Sequence, residues 1–573
     1  MTQLNRRTAP PRMQWQLEQA GVHPLLARLY ASRGISVANE LNLELADLHP
    51  PIQLTRAAEA AVLLADAIEA DARLLIVADY DCDGATACAL GIRALRACGA
   101  TVDYVVPDRF KLGYGLSPEV VDLAAESAPD LLITVDNGIA SVEGVARAQE
   151  LGIATLITDH HLPGDTLPEA DCIVNPNQPG CDFPSKHLAG VGVMFYVLLA
   201  LRAELRGRGY FTERDIPEPN FGQWLDLVAL GTVADVVTLD RNNRILVAQG
   251  LKRIRAGRAQ AGVQALFTAT GRSPSKAIAS DLGFFIGPRL NAAGRLADMG
   301  LGIECLLTDD PVRALQIAQE LEALNRSRRE IEAEMQQQAD VILSETKDDA
   351  SGAGIALFDA SWHQGVIGIL ASRLKDKLYR PVFAFARGDS GELKGSGRAI
   401  PGIHLRDALD IISKKSPGLI IRFGGHTAAA GLTIREDDFL RFQQMFVDVA
   451  AELLKNDSLH RNLSTDGILE ASYINLPIAH LLEGEVWGQG FPAPLFECVF
   501  EVENQRVLKE KHLKLRLRTA QGSLDAIHFN HLSLPEQISS SKVRLAYRLA
   551  VNEFNGRETP QLLIEHLESL PMD

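Results

Sequence analysis

Leu74-Leu75-Ile76-Val77-Ala78-Asp79-Tyr80-Asp81-Cys82-Asp83-Gly84 joins an unbroken apolar run to three carboxylates on alternate positions. Such a run predicts a strand buried on both faces of a parallel sheet, and the carboxyl end of that strand is where α/β folds place their sites. Three further segments repeat the pattern: Leu131–Val135 into Asp136-Asn137-Gly138, Ala154–Thr158 into Asp159-His160-His161, and Leu225–Ala234, read as a fourth strand, into Asp235. A lone Asp at a strand end is ordinarily a turn former or a helix cap. Four such ends, carrying Asp79, Asp81, Asp83, Asp136, His160, His161 and Asp235, form instead the donor set that a pair of hard or borderline divalent ions requires. Gly84 is read as the point where the backbone turns away, so that Asp81 and Asp83 project to the same side. Cys82 is read as a packing residue, because its neighbours are hard oxygen donors.

Between these strands, Thr86–Cys98, Pro118–Ala125 and Val142–Leu151 have helical character and Val102–Val106 is a further strand, the spacing of right-handed βαβ units. The amphipathic segment Ala57–Ala70 precedes them. Pro311 is placed as the first-turn residue of a long helix with few breakers, and a second α/β unit begins at Ile355–Phe358. Beyond it, Leu513–Arg518 and Val543–Val551 alternate with period two, and five such strands would close a small barrel. The expected organisation is a helical lead-in over 1–70, an α/β catalytic domain over 71–240, a helical region packing on it over 241–310, a connector helix over 311–345, a second α/β domain over 350–455 and a barrel over 466–573.

At 573 residues the chain is too long for a single core, and 46% hydrophobic with 23% charged residues is the balance of a folded enzyme rather than a disordered chain. No stretch reaches the length of a membrane span and the first residues lack a signal-peptide core, so no membrane is expected and the cytoplasm is the expected location. Seven cysteines without a C-x-x-C pair read as reduced thiols. A net charge of −16 argues against a basic coat, yet a metal site is itself a local negative charge and a nucleic-acid track can be confined to one groove.

The ordered set DYDCDG, VDNG, TDHH and Val233-Ala234-Asp235-Val236-Val237 resembles the four motifs of the DHH phosphoesterase superfamily, and Asp159-His160-His161 is its namesake. The resemblance implies a fold class: a parallel-sheet DHH domain, a long connector helix, an α/β DHH-associated domain and a C-terminal β-barrel of the OB-fold type. It implies two Mn2+ or Mg2+ ions, with Asp81 on one, Asp136 bridging, and Asp83, His160 and Asp235 on the other. His161 would serve the scissile phosphate and Asp159 would orient the loop. The chain departs from several branches in having Val77 where a His precedes the first ligand, which leaves Asp79 as a partial substitute and predicts a weakly held first ion until substrate phosphate adds its oxygens.

Arg422-Phe423-Gly424-Gly425-His426, read as a glycine-rich turn before a helix, and Ser396-Gly397-Arg398 resemble signatures of the DHH-associated domain and imply substrate contacts at Ser396, Arg398, Gly424, Gly425 and His426. His363 and Arg373 are further candidates, as are Arg109 beside Phe110 and Tyr114, and Arg289 and Arg295 in Gly287–Leu296. Lys514, Arg516 and Arg518 fall on one strand face, a candidate groove for a phosphate backbone, with Tyr547 or Phe554 as a stacking surface.

The domain order resembles the single-strand-specific exonuclease branch of the superfamily. That implies a metal-dependent phosphodiesterase acting 5′-to-3′ on single-stranded DNA, releasing mononucleotides in repair and recombination. A monomer is expected, working with a single-strand-binding protein and a helicase. The alternatives are a relative acting on short oligonucleotides, cyclic dinucleotides or pyrophosphate, and a non-catalytic DNA-binding scaffold; the acids retained here weigh against the scaffold.

Overall fold

The computed structural model describes residues 2–108, 111–113, 115–345, 352–388, 391–454, 461–509, 511–520, 522–529 and 542–570. It divides into two compact units, one formed by 1–3, 295–297 and 322–463, the other by 4–294, 298–321 and 464–573. Of the segments singled out above, Arg109, Phe110 and Tyr114 lie outside the described residues.

In the larger unit, strands β1 (Arg73–Ala78), β2 (Thr101–Val105), β3 (Leu131–Val135), β4 (Ala154–Thr158) and β5 (Cys172–Val174) form an all-parallel sheet in the order β2-β1-β3-β4-β5. The apolar runs become strands because both faces are covered. Leu75, Val77, Leu132 and Ile157 pack on one face with Val120, Val121 and Val145 from the helices Pro118–Ala125 and Val142–Glu150. On the other face lie helix α1 (Cys82–Ala97) and helix α2 (Gly190–Gly207). Gly91 allows α1 that approach, since a Cβ there would stand 2.8 Å from Ile76 Cδ1 and 2.9 Å from Met194 Cε. The strand order reverses between β1 and β3, so their carboxyl ends open the crevice that doubly wound sheets use for ligands.

Two readings of this unit are corrected. Leu225–Ala234 is not a strand but a helix, α3, with Leu225 to Thr232 all buried. A helix that is apolar all round has no 3.6-residue stripe and cannot be separated from a buried strand by pattern alone; its ten residues were the better guide. Gly84 makes no turn, because α1 begins at Cys82 and contains it. Its missing side chain is needed for contact: a Cβ would stand 2.6 Å from the Asp79 carbonyl oxygen.

Helix Gly287–Leu296, α4, follows a π-helical turn at Leu282–Ile286. The connector, α5 (Pro311–Glu345), is 35 residues long, begins at the expected proline, and opens with Asp310 Oδ1 accepting the Val312 N–H at 2.9 Å. Its first residues belong to the larger unit and those from Glu322 to the smaller.

The smaller unit is a five-stranded sheet in the order Arg422–Gly425, Ala429–Arg435, Glu392–Arg398, Val382–Arg387, Ile355–Phe358, with only the last pair parallel. Gly395 and Gly397 leave room for Phe385 and Phe383, which pack with Phe442 and Phe446 from helix Phe439–Leu454. The Gly424-Gly425 segment is corrected here: it is a strand paired with Ala429–Arg435, with Gly425 opposite Ala430, and no helix follows it.

The last 100 or so residues form the predicted barrel, closed in the order Phe496–Leu508, His512–Thr519, Gly522–His528, Arg557–Ser569, Lys542–Phe554. Closure runs through a short parallel seam, Ala526 opposite Leu562 and Ile527 opposite Leu563. The chain enters this region at Asp466, whose carboxylate is 98% buried and takes both arms of the equally buried Arg33 (2.9 and 3.0 Å), Arg7 (3.2 Å) and the Leu495 N–H (3.0 Å). Removing one partner of a buried, hydrogen-bonded ion pair strands the other charge, so Asp466→Ala is expected to cost about 3–5 kcal/mol, read as a lowered thermal unfolding midpoint with Asp466→Asn intermediate.

Candidate metal centre

The register of the parallel sheet sets Asp79, Asp136 and Asp159 level on neighbouring strands: Asp79 N–H donates to Val135 O (3.3 Å), Asp136 N–H to Thr158 O (3.0 Å) and Asp159 N–H to Val174 O (3.1 Å). Asp136 sits at φ +64°, in the left-handed region that a non-glycine residue rarely adopts, and Val236, directly after Asp235, shares that φ. A β-branched residue there is an outlier, the kind of strain found where a chain must be aimed. Asp235 is the C-cap of α3, so the fourth ligand arrives from a helix end rather than a strand end.

These elements bring the side chains into three overlapping groups whose donor atoms lie within 4.8 Å of one another: Asp79 with Asp81 and Asp136; Asp83 with His160 and Asp235; and Asp136 with His160 and His161. His160 Nε2 is 3.0 Å from Asp136 Oδ1, 3.5 Å from Asp235 Oδ2 and 3.9 Å from Asp83 Oδ2. Asp136 thus belongs both to an all-carboxylate set and to an imidazole-bearing one, the arrangement for two ions sharing a ligand. Asp79, Asp83, Asp136 and Asp159 are buried.

Burial and repulsion from neighbouring carboxylates push Asp83, Asp136 and Asp235 upward. Asp83 is raised to about 7 by burial and then by Asp81, against the pull of the Val191 and Gly190 N–H groups. Burial, followed by the neighbouring carboxylates, holds Asp136 and Asp235 well above the usual range. A cluster that cannot ionise fully unaided is what divalent cations relieve, so the donor set fits two hard or borderline ions.

Asp159 is different. Burial works against its ionisation, but the His161 hydrogen bond and charge outweigh it and lower its pKa. It accepts His161 Nδ1 at 2.7 Å, the N–H groups of His160 (2.7 Å) and His161 (3.1 Å), and that of Ile139 at 2.9 Å. Burial pulls His161 down, but the Asp159 bond and charge, with Asp79 and Asp81, carry it up to about 9. The Asp159 bond at Nδ1 fixes the orientation of the His161 ring.

Pattern reading missed two glycines, Gly190 and Gly231. Asp83 Oδ2 and Oδ1 accept the first N–H groups of α2, from Gly190 (2.6 Å) and Val191 (2.9 Å). A Cβ at Gly190 would stand 2.6 Å from Asp136 Cβ, and one at Gly231 2.8 Å from Asp83 Oδ1. Nothing in the local sequence marks either, because the need arises from acids on other elements. Cys82 is buried beside the cluster and outside the ligand groups, and burial raises its thiol pKa well above normal.

The other predicted residues divide. Arg289 is 6% exposed and donates to Phe285 O at 2.8 Å. Arg295 donates to Gly365 O at 3.1 Å, and the His363 Nδ1 accepts the Gly365 N–H at 3.0 Å. Ser396 and Arg398 come together, Oγ to Nη1 3.2 Å, beside Gly368 in the first turn of helix Ile367–Leu378; among the described residues no carboxylate pairs with Arg398. Arg373 is paired with Glu332 at 2.9 Å. Gly424, Gly425 and His426 form one strand end and its turn, with His426 N–H donating to Ala429 O at 2.8 Å. Lys514, Arg516 and Arg518 do share an outer barrel face, but Asp525 meets Lys514 (2.7 Å) and Arg516 (3.5 Å), and Glu501 and Glu503 meet Arg518 (both 3.2 Å), so it is not a bare cationic groove. Tyr547 is fully buried in the barrel and offers no stacking surface, since it points inward from its strand, whereas Phe554 is 71% exposed.

Comparison with known proteins gives a consistent placement. Residues 73–232 match the family model "DHH family, N-terminal domain", 351–452 the "DHHA1 domain" and 465–566 the "RecJ OB domain". The chain is 50% identical over 574 residues to the single-stranded-DNA-specific exonuclease RecJ of Dickeya dadantii (strain 3937), covering 99% of each. Two crystal structures of RecJ from Thermus thermophilus are similar over 100% of this chain. The complex with Mn2+ has a TM-score of 0.81 at 31% identity, with 80% of that chain covered. The complex with Mg2+ has a TM-score of 0.76 at 29% identity, with 79% of that chain covered.

Two outcomes are expected. Ligation needs Asp83 ionised, so Mn2+ affinity should rise as pH is raised through about 7, with proton release on binding below that pH, measured by calorimetry in buffers of different ionisation enthalpy. The sign is that of an acid whose folded pKa exceeds its unfolded value: the metal-free protein loses stability as pH climbs from about 4 through 7, so the thermal shift from added Mn2+ should be larger at pH 8 than at pH 6. Gly190→Ala should weaken Mn2+ binding by about 10- to 100-fold by displacing Asp136.

Proposed function

The chain belongs to the RecJ family of DHH exonucleases, and from that premise we propose that it hydrolyses single-stranded DNA 5′-to-3′ to mononucleotides, in the cytoplasm, during repair and recombination. The carrying observation is the convergence of Asp79, Asp81, Asp83, Asp136, His160 and Asp235 at the point where the sheet order reverses. Asp79 and Asp81 would hold one Mn2+ or Mg2+, Asp83, His160 and Asp235 the other, with Asp136 on both. When bound, such ions neutralise charge developing on the phosphodiester and supply a strongly nucleophilic water at neutral pH.

This chain's own groups do the rest. Gly190 and Val191 hold Asp83 by their N–H groups. Asp159 fixes the ring of His161 and favours its protonated form, so that Nε2–H donates to a phosphoryl oxygen or to the leaving group. Within the smaller unit, Arg398 with Ser396 at the start of a helix suits a terminal phosphate, a position where guanidinium, hydroxyl and backbone N–H groups act together. The protein would act as a monomer alongside a single-strand-binding protein and a helicase.

Digestion of 5′-labelled and 3′-labelled single strands with Mn2+ tests the reading. Early release of labelled mononucleotide only from the 5′-labelled strand supports it; release from the 3′ label, or cleavage confined to oligonucleotides of a few residues, overturns it. His161→Ala should lower kcat by about 100- to 10,000-fold while DNA binding persists. Asp136→Ala should leave no detectable cleavage; cleavage unchanged in both variants would overturn the assigned roles, and a scaffold role would be indicated if the wild type itself released no nucleotide.

A further inference from the structure

The acidic loop is held from outside its own domain sheet. Helix α1 opens with Asp81 as N-cap, and a single oxygen of that carboxylate, Oδ1, accepts the N–H groups of Asp83 (2.9 Å) and Gly84 (3.0 Å). The N–H of Cys82, the first helical residue, is one of the donors that a helix start leaves unsatisfied. It is taken by the side chain of Asn291 in α4, with Oδ1 2.7 Å away. Gly294, three residues further and so on the same face of α4, lies against the same loop: a Cβ there would stand 1.9 Å from the Tyr80 carbonyl oxygen. Helix α4 is therefore seated on the segment 80–82, between two acids of the metal centre.

We propose that Asn291 is a positioning residue for metal binding: by accepting the Cys82 N–H it spares Asp81 a third backbone donor and leaves Oδ2 of that carboxylate for the ion. Without this acceptor, Asp81, the N-cap residue directly before Cys82, would be drawn to cap it, and a carboxylate rotated to do so turns away from Asp79 and Asp136. The role rests on the metal-centre reading, and the experiment separates the two.

Mn2+ binding to the full-length chain without DNA is measured by the loss of the free-ion electron paramagnetic resonance signal, for wild type, Asn291→Leu and Asn291→Asp. Both substitutions keep the branching of Asn at Cγ, and only Asp keeps an acceptor. Binding of Mn2+ by the wild type supports the centre, and its absence would overturn the centre and this role together. Asn291→Leu is expected to weaken one class of Mn2+ site by about 10- to 100-fold, the range for groups that orient a ligand, with Asn291→Asp not weakened. In turnover, Asn291→Leu should need correspondingly more Mn2+ for half-maximal rate while kcat at saturating Mn2+ is largely restored. Wild-type affinity in Asn291→Leu, or equal weakening in both variants, would overturn the proposal, the latter by making the contact one of packing. Circular dichroism of both variants checks that α4 and the sheet are intact.

Discussion

Repulsion among buried carboxylates is the constraint around which this protein is organised. Burial, and then the charges of their neighbours, raise the pKa values of Asp83, Asp136 and Asp235, and hydrophobic burial alone would drive such acids apart or neutralise them. They stay together because backbone donors are aimed at them. The first turn of α2 holds Asp83, the start of α1 holds Asp81, and the sheet register fixes Asp79 and Asp136 through their own N–H groups. Both helix starts add the favourable field of a helix N-terminus to those hydrogen bonds. Close approach then demands glycine at 84, 190 and 231, each facing an acid or its backbone.

What the sequence made legible follows the same physics. Leu131–Val135, Ala154–Thr158, Pro118–Ala125 and Ile355–Phe358 emerge with the bounds expected, because continuous apolar runs stopped by Asp or Gly, and a helix opened by Ser-Pro, are local signals. Asp79, Asp81, Asp83, Asp136, His160 and Asp235 were visible for the same reason: each follows such a run. Helix α3 was misread because uniform burial erases periodicity. Gly190, Gly231 and Asn291 could not be singled out, since what each touches is distant in sequence. Tyr547 shows the complementary failure, in which residue type suggested a stacking surface and burial decided otherwise, while Gly425 lies in a strand where a turn before a helix was expected.

Charge distribution follows the net value of −16 rather than the local clusters. Arg544 and Arg548 on the barrel face Glu568 and Glu565, as Arg516 faces Asp525, so positive strands are paired with negative ones across the same surface. Exposed pairs of this kind contribute little to stability. Their effect is to cancel a field that a row of arginines would otherwise project, leaving Arg398, in the smaller unit, as a partly buried cation of another kind.

The barrel owes its circularity to the seam between Gly522–His528 and Arg557–Ser569, where two residue pairs lie in parallel register while the neighbouring antiparallel ladders run much longer. Circles fail at their weakest link. Amide protons that bridge this seam are therefore the ones expected to exchange first, and those of the long hairpin ladder between Val543–Phe554 and Arg557–Ser569 the last.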